Sequence, residues 1–386
     1  MHPSFLRQFH ASQIFHAIRA QPGVSQRELS ELTGCDKSTV SVIIKRFEGI
    51  GLVERTMGAS SGRRGRPSES LRISELSGLL MGVHLEFECL RFVAANVDGR
   101  PFASIDRPLP TTPSELGDDV RNGLEALCNE VGRSLSEIRA VGMTLPGLVG
   151  SAGGLAESSN LSWDTVAVPD LLRTKIGAPV YVDNDSNAST LAEHLFGVAA
   201  DLSDFIMLDG SRGIGGGVFI DGRLYRGRSG FSGEMGHIKV VKDGRMCGCG
   251  APGCLSAYIC APALVARSRR VPGISKFSDI LAAAEAGNPD VRYLLEEAGQ
   301  FLGVAMATLI NVFDPPAIAL GGIIAQIWPY IENSTRQTIQ QNAMRTPARE
   351  YEIRISTISN SQIPWGGVTL ALEGFSNLHP TDPLPW

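Results

Sequence analysis

His237, Cys247, Cys249 and Cys254 stand close together in a stretch that reads Gly-Glu-Met-Gly-His from Gly233 and Cys-Gly-Cys-Gly-Ala-Pro-Gly-Cys from Cys247. Imidazole and thiolate are preferred donors for a tetrahedral Zn²⁺, and a closed Cys₃His set leaves no position for water. The spacing therefore points to structural rather than catalytic zinc. Glycines among the cysteines let the backbone turn tightly enough to face three sulfurs toward one ion. A reduced thiol cluster, or a disulfide between two of the three cysteines, would use the same residues differently. Glu234 lies one turn from His237, so a metal held here would also hold a polar binding site in shape.

Such a loop needs a scaffold, and the composition supplies one. The chain has 386 residues, 43% hydrophobic and 19% charged, enough globular material for two or three domains. No apolar run reaches the ~18 residues of a membrane span, and the N-terminus has no signal-peptide core, which points to the cytoplasm. Seven cysteines, three of them in a metal-like motif, fit a reducing compartment. The net charge of −5 hides an asymmetry: residues 1–75 carry +4 and the remainder −9. A small basic head on an acidic body suggests that the head meets a polyanion.

The head reads as a winged helix-turn-helix. Apolar residues recur at helical spacing over 12–20 until Pro22-Gly23 intervenes. Ser25 and Glu28 form a capping box, with Val24 and Leu29 at the flanking staple positions. After the Thr33-Gly34 turn a third helix follows, capped by Asp36 or Ser38, with Val40, Ile43, Phe47 and Ile50 as its buried stripe. Its other face shows Lys37, Ser38, Thr39, Ser41, Lys45 and Arg46, the set expected to meet DNA. Strands at 52–55 and 70–73 flank a wing containing Arg63, Arg64 and Arg66. Arg64-Gly65-Arg66-Pro67 resembles an AT-hook core, whose arginines enter a narrow A·T-rich minor groove.

From about residue 78 the pattern becomes α/β. A strand pair is expected at 79–83 and 90–95, a helix at 115–131, and buried strands at 140–143 and 180–182. The last of these ends in Asp183-Asn184-Asp185, and polar residues at the end of a buried strand are where α/β folds place ligands. A helix at 186–196 and a strand at 205–208 precede a glycine-rich turn at 213–217, then a partner strand at 218–220. An apolar helix at 303–312 leads to a strand at 317–320. No internal repeat is evident.

Residues 78–375 resemble the ROK family of repressors, uncharacterised reading frames and sugar kinases. The resemblance rests on Val182-Asp183-Asn184-Asp185-Ser186-Asn187-Ala188, Gly213-Ile214-Gly215-Gly216-Gly217, the Gly-Glu-Met-Gly-His and cysteine segment, and Leu320-Gly321-Gly322. It implies an α/β, two-lobed actin/hexokinase-like (ribonuclease H-like) body behind the winged head. The expected division is residues 1–75 for the head, 76–184 for a small lobe completed by about 366–386, and 185–365 for a larger lobe. The larger lobe would carry the zinc site and a dimerisation surface. It further implies that Asn160, Asn184, Asp185, Glu234 and His237 bind a sugar, with Asp185 where the kinases keep a general base.

The phosphate side departs from that family pattern. Where the kinases carry Asp-x-Gly-Gly-Thr to wrap ATP phosphates, this chain has His84-Leu85-Glu86-Phe87-Glu88, and the second phosphate loop reads Ser211-Arg212-Gly213. Bulky and acidic side chains repel a triphosphate and block its approach. On the sugar side, Ser256 stands where the family's Gly-Cys-x-Glu segment supplies a glutamate. The expected function is a sugar-responsive DNA-binding regulator, a repressor with no catalytic residues, bound to a double-stranded operator as a homodimer or tetramer. The alternatives are an ATP-dependent sugar kinase, or a DNA-binding regulator that has lost its sugar.

Overall fold

The computed structural model describes residues 3–57, 69–86, 88–157, 165–210, 212–344, 350–358 and 364–376. The head comprises α1 (Pro3–Ala20), α2 (Gln26–Thr33) and α3 (Lys37–Gly49), followed by β1 (Val53–Met57) and β2 (Glu69–Ile73). Local chemistry sets its boundaries. Ser25 Oγ accepts from the Glu28 amide and the Glu28 carboxylate accepts from the Ser25 amide at 2.8 Å, so the capping box forms. Gly34, with φ of 67°, ends α2 in the left-handed conformation that glycine adopts without a Cβ penalty. Asp36 caps α3, accepting from the amides of Ser38 and Thr39.

The buried face of α3 is Val40, Ile43, Ile44 and Phe47. Ile50, expected in that stripe, is 47% exposed, because it caps the helix after its last turn; Ile44 fills the face instead. β1 and β2 pair antiparallel, with Val53 opposite Ile73. Arg63, Arg64 and Arg66 lie outside the described residues.

The body continues with β3 (Leu79–Leu85), β4 (Cys89–Asn96), β5 (Pro101–Pro108), α4 (Leu116–Glu130), β6 (Ile138–Leu145), β7 (Leu148–Val149), β8 (Leu155–Glu157), α5 (Val168–Arg173) and β9 (Val180–Asn184). Then come α6 (Asp185–Phe196), β10 (Phe205–Gly210), β11 (Ile214–Ile220), β12 (Arg223–Leu224), α7 (Ser256–Ile259), α8 (Ala261–Arg267), α9 (Phe277–Glu285) and α10 (Pro289–Phe313). The chain closes with β13 (Ala317–Leu320), α11 (Gly322–Asn342), β14 (Glu352–Ile355) and α12 (Gly366–Ser376).

The two five-stranded sheets are wound alike. Their orders are β5-β4-β3-β6-β9 and β12-β11-β10-β13-β14, each with an antiparallel meander on one side and parallel strands on the other. This duplicated topology is the actin/hexokinase-like architecture expected. The repeat lies in the order of strands and carries no matching residue pattern, so the sequence shows no repeat.

Chain packing divides the molecule into two units. The first is drawn from residues 1–144, 167–182 and 366–386, the second from 145–166 and 183–365. In the first unit the start of α12 lies against β3 and β6 across Gly82, Gly142 and Gly367. A Cβ on Gly142 would stand 2.0 Å from the Gly367 carbonyl oxygen, so only hydrogen fits. The head docks on the same helix: Ser12 Oγ donates to the Ser376 carbonyl at 2.7 Å, and the Phe15 and Phe375 rings meet edge-on at 5.9 Å. Arg19, buried beside them, is pushed down to about 10 by loss of water, with Asp98 acting the other way.

In the second unit the glycine run is not the turn expected. Gly215, Gly216 and Gly217 sit inside β11, with Gly215 and Gly217 facing α6 and Gly216 facing Met235. A Cβ on Gly217 would stand 2.1 Å from Thr190 Oγ1, and one on Gly215 would stand 2.0 Å from Ser186 Oγ. These glycines let a helix lie directly on a strand. The long helices α10 and α11 pack against each other, and the expected helix at 303–312 is only the end of α10. That helix begins after Asn288, whose side chain caps the amides of Asp290 and Val291.

Candidate functional site

Strand β9 ends at Asn184, and α6 begins with the next residue. Asn184 Oδ1 accepts from the amides of Ser186 (2.8 Å) and Asn187 (3.3 Å), while Nδ2 donates to the Gly147 carbonyl at 2.7 Å. Most of its hydrogen-bonding capacity is therefore used in capping α6 and fixing the 147 loop. The buried Asp183 supports this corner from behind. Its Oδ1 accepts from the Asn184 amide (2.7 Å) and Asn187 Nδ2 (2.8 Å), and its Oδ2 accepts from Arg226 Nε at 2.7 Å.

Asp185, the first residue of α6, is reached by solvent, yet protein crowds its carboxylate. That loss of water, with the charges of Asp209 and Glu234 nearby, pushes its pKa up to about 7; the Ser186 amide acts the other way. Asp209, at the end of β10, is also raised by burial, although Ser189 and the Gly210 amide (2.9 Å) bond to it. Glu234 is raised by burial as well, with His237 lowering it. Three carboxylates of raised proton affinity are thus gathered here, and the charges of Asp209 and Glu234 act on Asp185. Such a set is suited to accepting hydrogen bonds from a neutral polyol.

Asp209 was not among the residues singled out from the sequence. Its signal was the same as that of Asp185, a polar residue closing a buried strand. Asp183 and Arg226 were not assigned a part either, because the ion pair joins elements 43 positions apart.

The ligand atoms of His237, Cys247, Cys249 and Cys254 all lie within 4.8 Å of one another. Cys247 Sγ is 3.7 Å from His237 Nδ1, and Cys249 Sγ is 3.7 Å from Cys254 Sγ. Donors about 2.3 Å from a tetrahedral ion are separated by about 3.7 Å, whereas a disulfide would bring the sulfurs to about 2.05 Å. The donor set and its spacing therefore fit a tetrahedral metal, and the cysteines are not paired. Lys239 Nζ, 3.0 Å from Cys254 Sγ, supplies a positive charge beside the thiol cluster. His237 turns Nδ1 to the cysteines and Nε2 toward Glu234, at 3.6 Å. The cluster thereby fixes one edge of the carboxylate site.

Ser256, at the position of the family's glutamate, is buried and its Oγ accepts from the Ile214 amide at 3.2 Å. Its hydroxyl braces β11 and does not replace the missing acceptor. Asn160 lies outside the described residues.

On the side expected to have lost its phosphate loop, His84 is buried at the end of β3. Its Nε2 accepts from the Gly367 amide at 3.3 Å, which leaves Nδ1 to donate to Thr144 Oγ1 at 2.9 Å. Burial, aided by the charge of Arg91, drives its pKa down to about 3, so the ring is a neutral strut between β3, β6 and α12. Arg91 in turn holds Asp106 (2.7 Å) and lies 3.4 Å from Glu86. Phe87 and Ser211 lie outside the described residues.

In the head, Lys37, Ser38, Lys45 and Arg46 are exposed on α3, while Thr39 and Ser41 are half-buried. The hydroxyls of Ser38 and Thr39 both turn back to the Asp36 carboxylate and hold it well below the usual carboxylate range. They complete the helix cap.

A profile of the ROK family matches residues 92–373, and one of the MarR family matches residues 7–64. The chain is 26% identical over 377 residues to the xylose repressor of Bacillus spizizenii, covering 97% of this chain and 98% of that protein. It is 27% identical over 334 residues to the DNA-binding transcriptional dual regulator NagC of Escherichia coli K12, covering 83% and 82%. Among solved structures, a ROK family transcriptional regulator homologous to the E. coli MLC protein superposes with a TM-score of 0.83. That match is 24% identical and covers 97% of this chain and 98% of the other.

Proposed function

The chain belongs to the ROK family, and on that premise we propose that it is a sugar-responsive DNA-binding repressor whose kinase-like body senses and does not phosphorylate. One contrast carries the reading. The carboxylates at the ends of β9 and β10 remain suited to a polyol, while the position that would meet ATP phosphates holds a buried, neutral, doubly bonded His84. Phosphoryl transfer is mostly positioning and charge stabilisation, and a neutral strut supplies neither. The names of the relatives support the same class.

In this reading Asp185 and Glu234 accept from sugar hydroxyls, and His237 donates through Nε2. Asn184 and Asn160 are the further candidates for sugar contact. His237, Cys247, Cys249 and Cys254 would hold Zn²⁺, which when bound supplies a rigid tetrahedral anchor and no reactive position. Lys37, Ser38, Thr39, Ser41, Lys45 and Arg46 would face the major groove, and Arg63, Arg64 and Arg66 the minor groove. The working division remains a head of 1–75, a small lobe of 76–184 completed by 366–386, and a larger lobe of 185–365. One head covers only a half-site, so a homodimer in the cytoplasm is the expected acting form.

Fluorescence anisotropy on duplexes selected by the protein, titrated with xylose, glucose and N-acetylglucosamine, tests the proposal. A sugar that weakens operator affinity at least severalfold supports it. Operator binding indifferent to every sugar would instead favour a regulator that has lost its effector, in line with the internal bond of Ser256. Transfer of phosphate from ATP to any of these sugars would overturn the sensor reading.

A further inference from the structure

Val42 is 64% exposed at the middle of the polar face of α3. Helical spacing sets it one turn after Ser38 and one turn before Lys45 and Arg46, so the four share a face. The exposed residues of α3 are Lys37, Ser38, Val42, Lys45, Arg46 and Gly49, and Val42 is the large apolar side chain among them. Stability of the free protein does not call for it. A β-branched residue loses rotamer freedom in a helix, and this one covers no core.

The neighbouring groups sharpen its part. Ser38 and Thr39 direct their hydroxyls into the Asp36 cap, which commits part of their hydrogen-bonding capacity inside the head. Lys45 and Arg46 supply charge one turn further on. Val42 is the sixth residue of α3, within the first half of the helix, where a recognition helix meets base edges. The major-groove edge of a base pair offers one apolar feature, the C5 methyl of thymine, or the same methyl on 5-methylcytosine.

We propose that Val42 reads a pyrimidine C5 methyl in each half-site and is a specificity-determining residue of the head. This rests on the DNA-binding reading above and adds to it an apolar contact that no charged residue of α3 can make.

The test uses the full-length protein and duplexes it enriches from a random library. Each thymine is replaced singly by deoxyuridine, which removes only the methyl group, and affinities are compared for wild type, Val42→Ala and Val42→Ser. At one position per half-site the wild type should lose about fourfold, the value of one methyl group withdrawn from contact. Both variants should bind thymine and uracil duplexes alike there, while keeping the wild-type melting temperature. Cytosine at that position should bind weakly and 5-methylcytosine should regain affinity if the methyl alone is read; thymine preferred over both marks the whole thymine edge as the target. A wild-type protein insensitive to uracil everywhere, or a Val42→Ala variant with the full penalty, overturns the assignment of Val42 and leaves operator binding intact. Failure to enrich any motif overturns sequence-specific binding itself.

Discussion

At Asp185 the ordinary carboxylate is displaced toward neutrality by its surroundings, and that makes it a pH-sensitive point. A carboxyl whose folded pKa lies near 7 holds its proton more tightly in the folded than in the unfolded state. Its cost to stability is absent at about pH 4, grows as pH rises, and is complete above about pH 7. Solvent reaches this residue, which reduces the cost to ~1 kcal/mol. Asp185→Asn should therefore melt like the wild type at low pH and higher than it at pH 8, by calorimetry. A hydroxyl that donates to the carboxylate favours its charged form, so affinity for the sugar that shifts the melting temperature should rise with pH through the same window. In Asp185→Asn that dependence should flatten. Cys249→Ser should lower zinc content from about one per chain to near none, read by mass spectrometry of the purified protein, together with a fall in melting temperature.

Among the elements, β11 shows what glycine contributes to this body. Gly217→Ala places a methyl group 2.1 Å from Thr190 Oγ1, and the overpacking should cost about 1–3 kcal/mol in denaturant unfolding. The sequence gives these glycines no visible reason, because their requirement comes from α6, which packs against them from another part of the chain. The head was legible for the opposite reason: its capping box, glycine turn and apolar stripe are all signals within a few residues. Even there Ile50 was misplaced, since helical periodicity runs on past the point where Gly49 and the cap end α3. The cluster of His237 with the three cysteines was legible because sulfur and imidazole have few other uses at that spacing. Asp209 and the Asp183–Arg226 pair were not, because burial and ion pairing across distant segments leave no local trace.

Across the whole molecule, duplicated sheet topology and unequal chemistry stand together. Each sheet has the same strand order, yet its central strand β3 ends in the buried His84 strut in the first, while the matching strand β10 carries Asp209 at its end in the second. His84→Asp therefore should not recreate a phosphate site: it would bury a charge and break the bond from the Gly367 amide. The expected outcome is a lowered melting temperature and no sugar-dependent ATP turnover in a coupled assay.

The helix that receives the head is α12, and it leaves the ribosome only after the body that separates it from the head. Residues 3–20 are made before the body, but the Ser376 carbonyl and the Phe375 ring against which they pack are made only after it. A growing chain thus carries its DNA-binding helices without their final seat. Their placement records that translation has passed through the whole body between them and that seat.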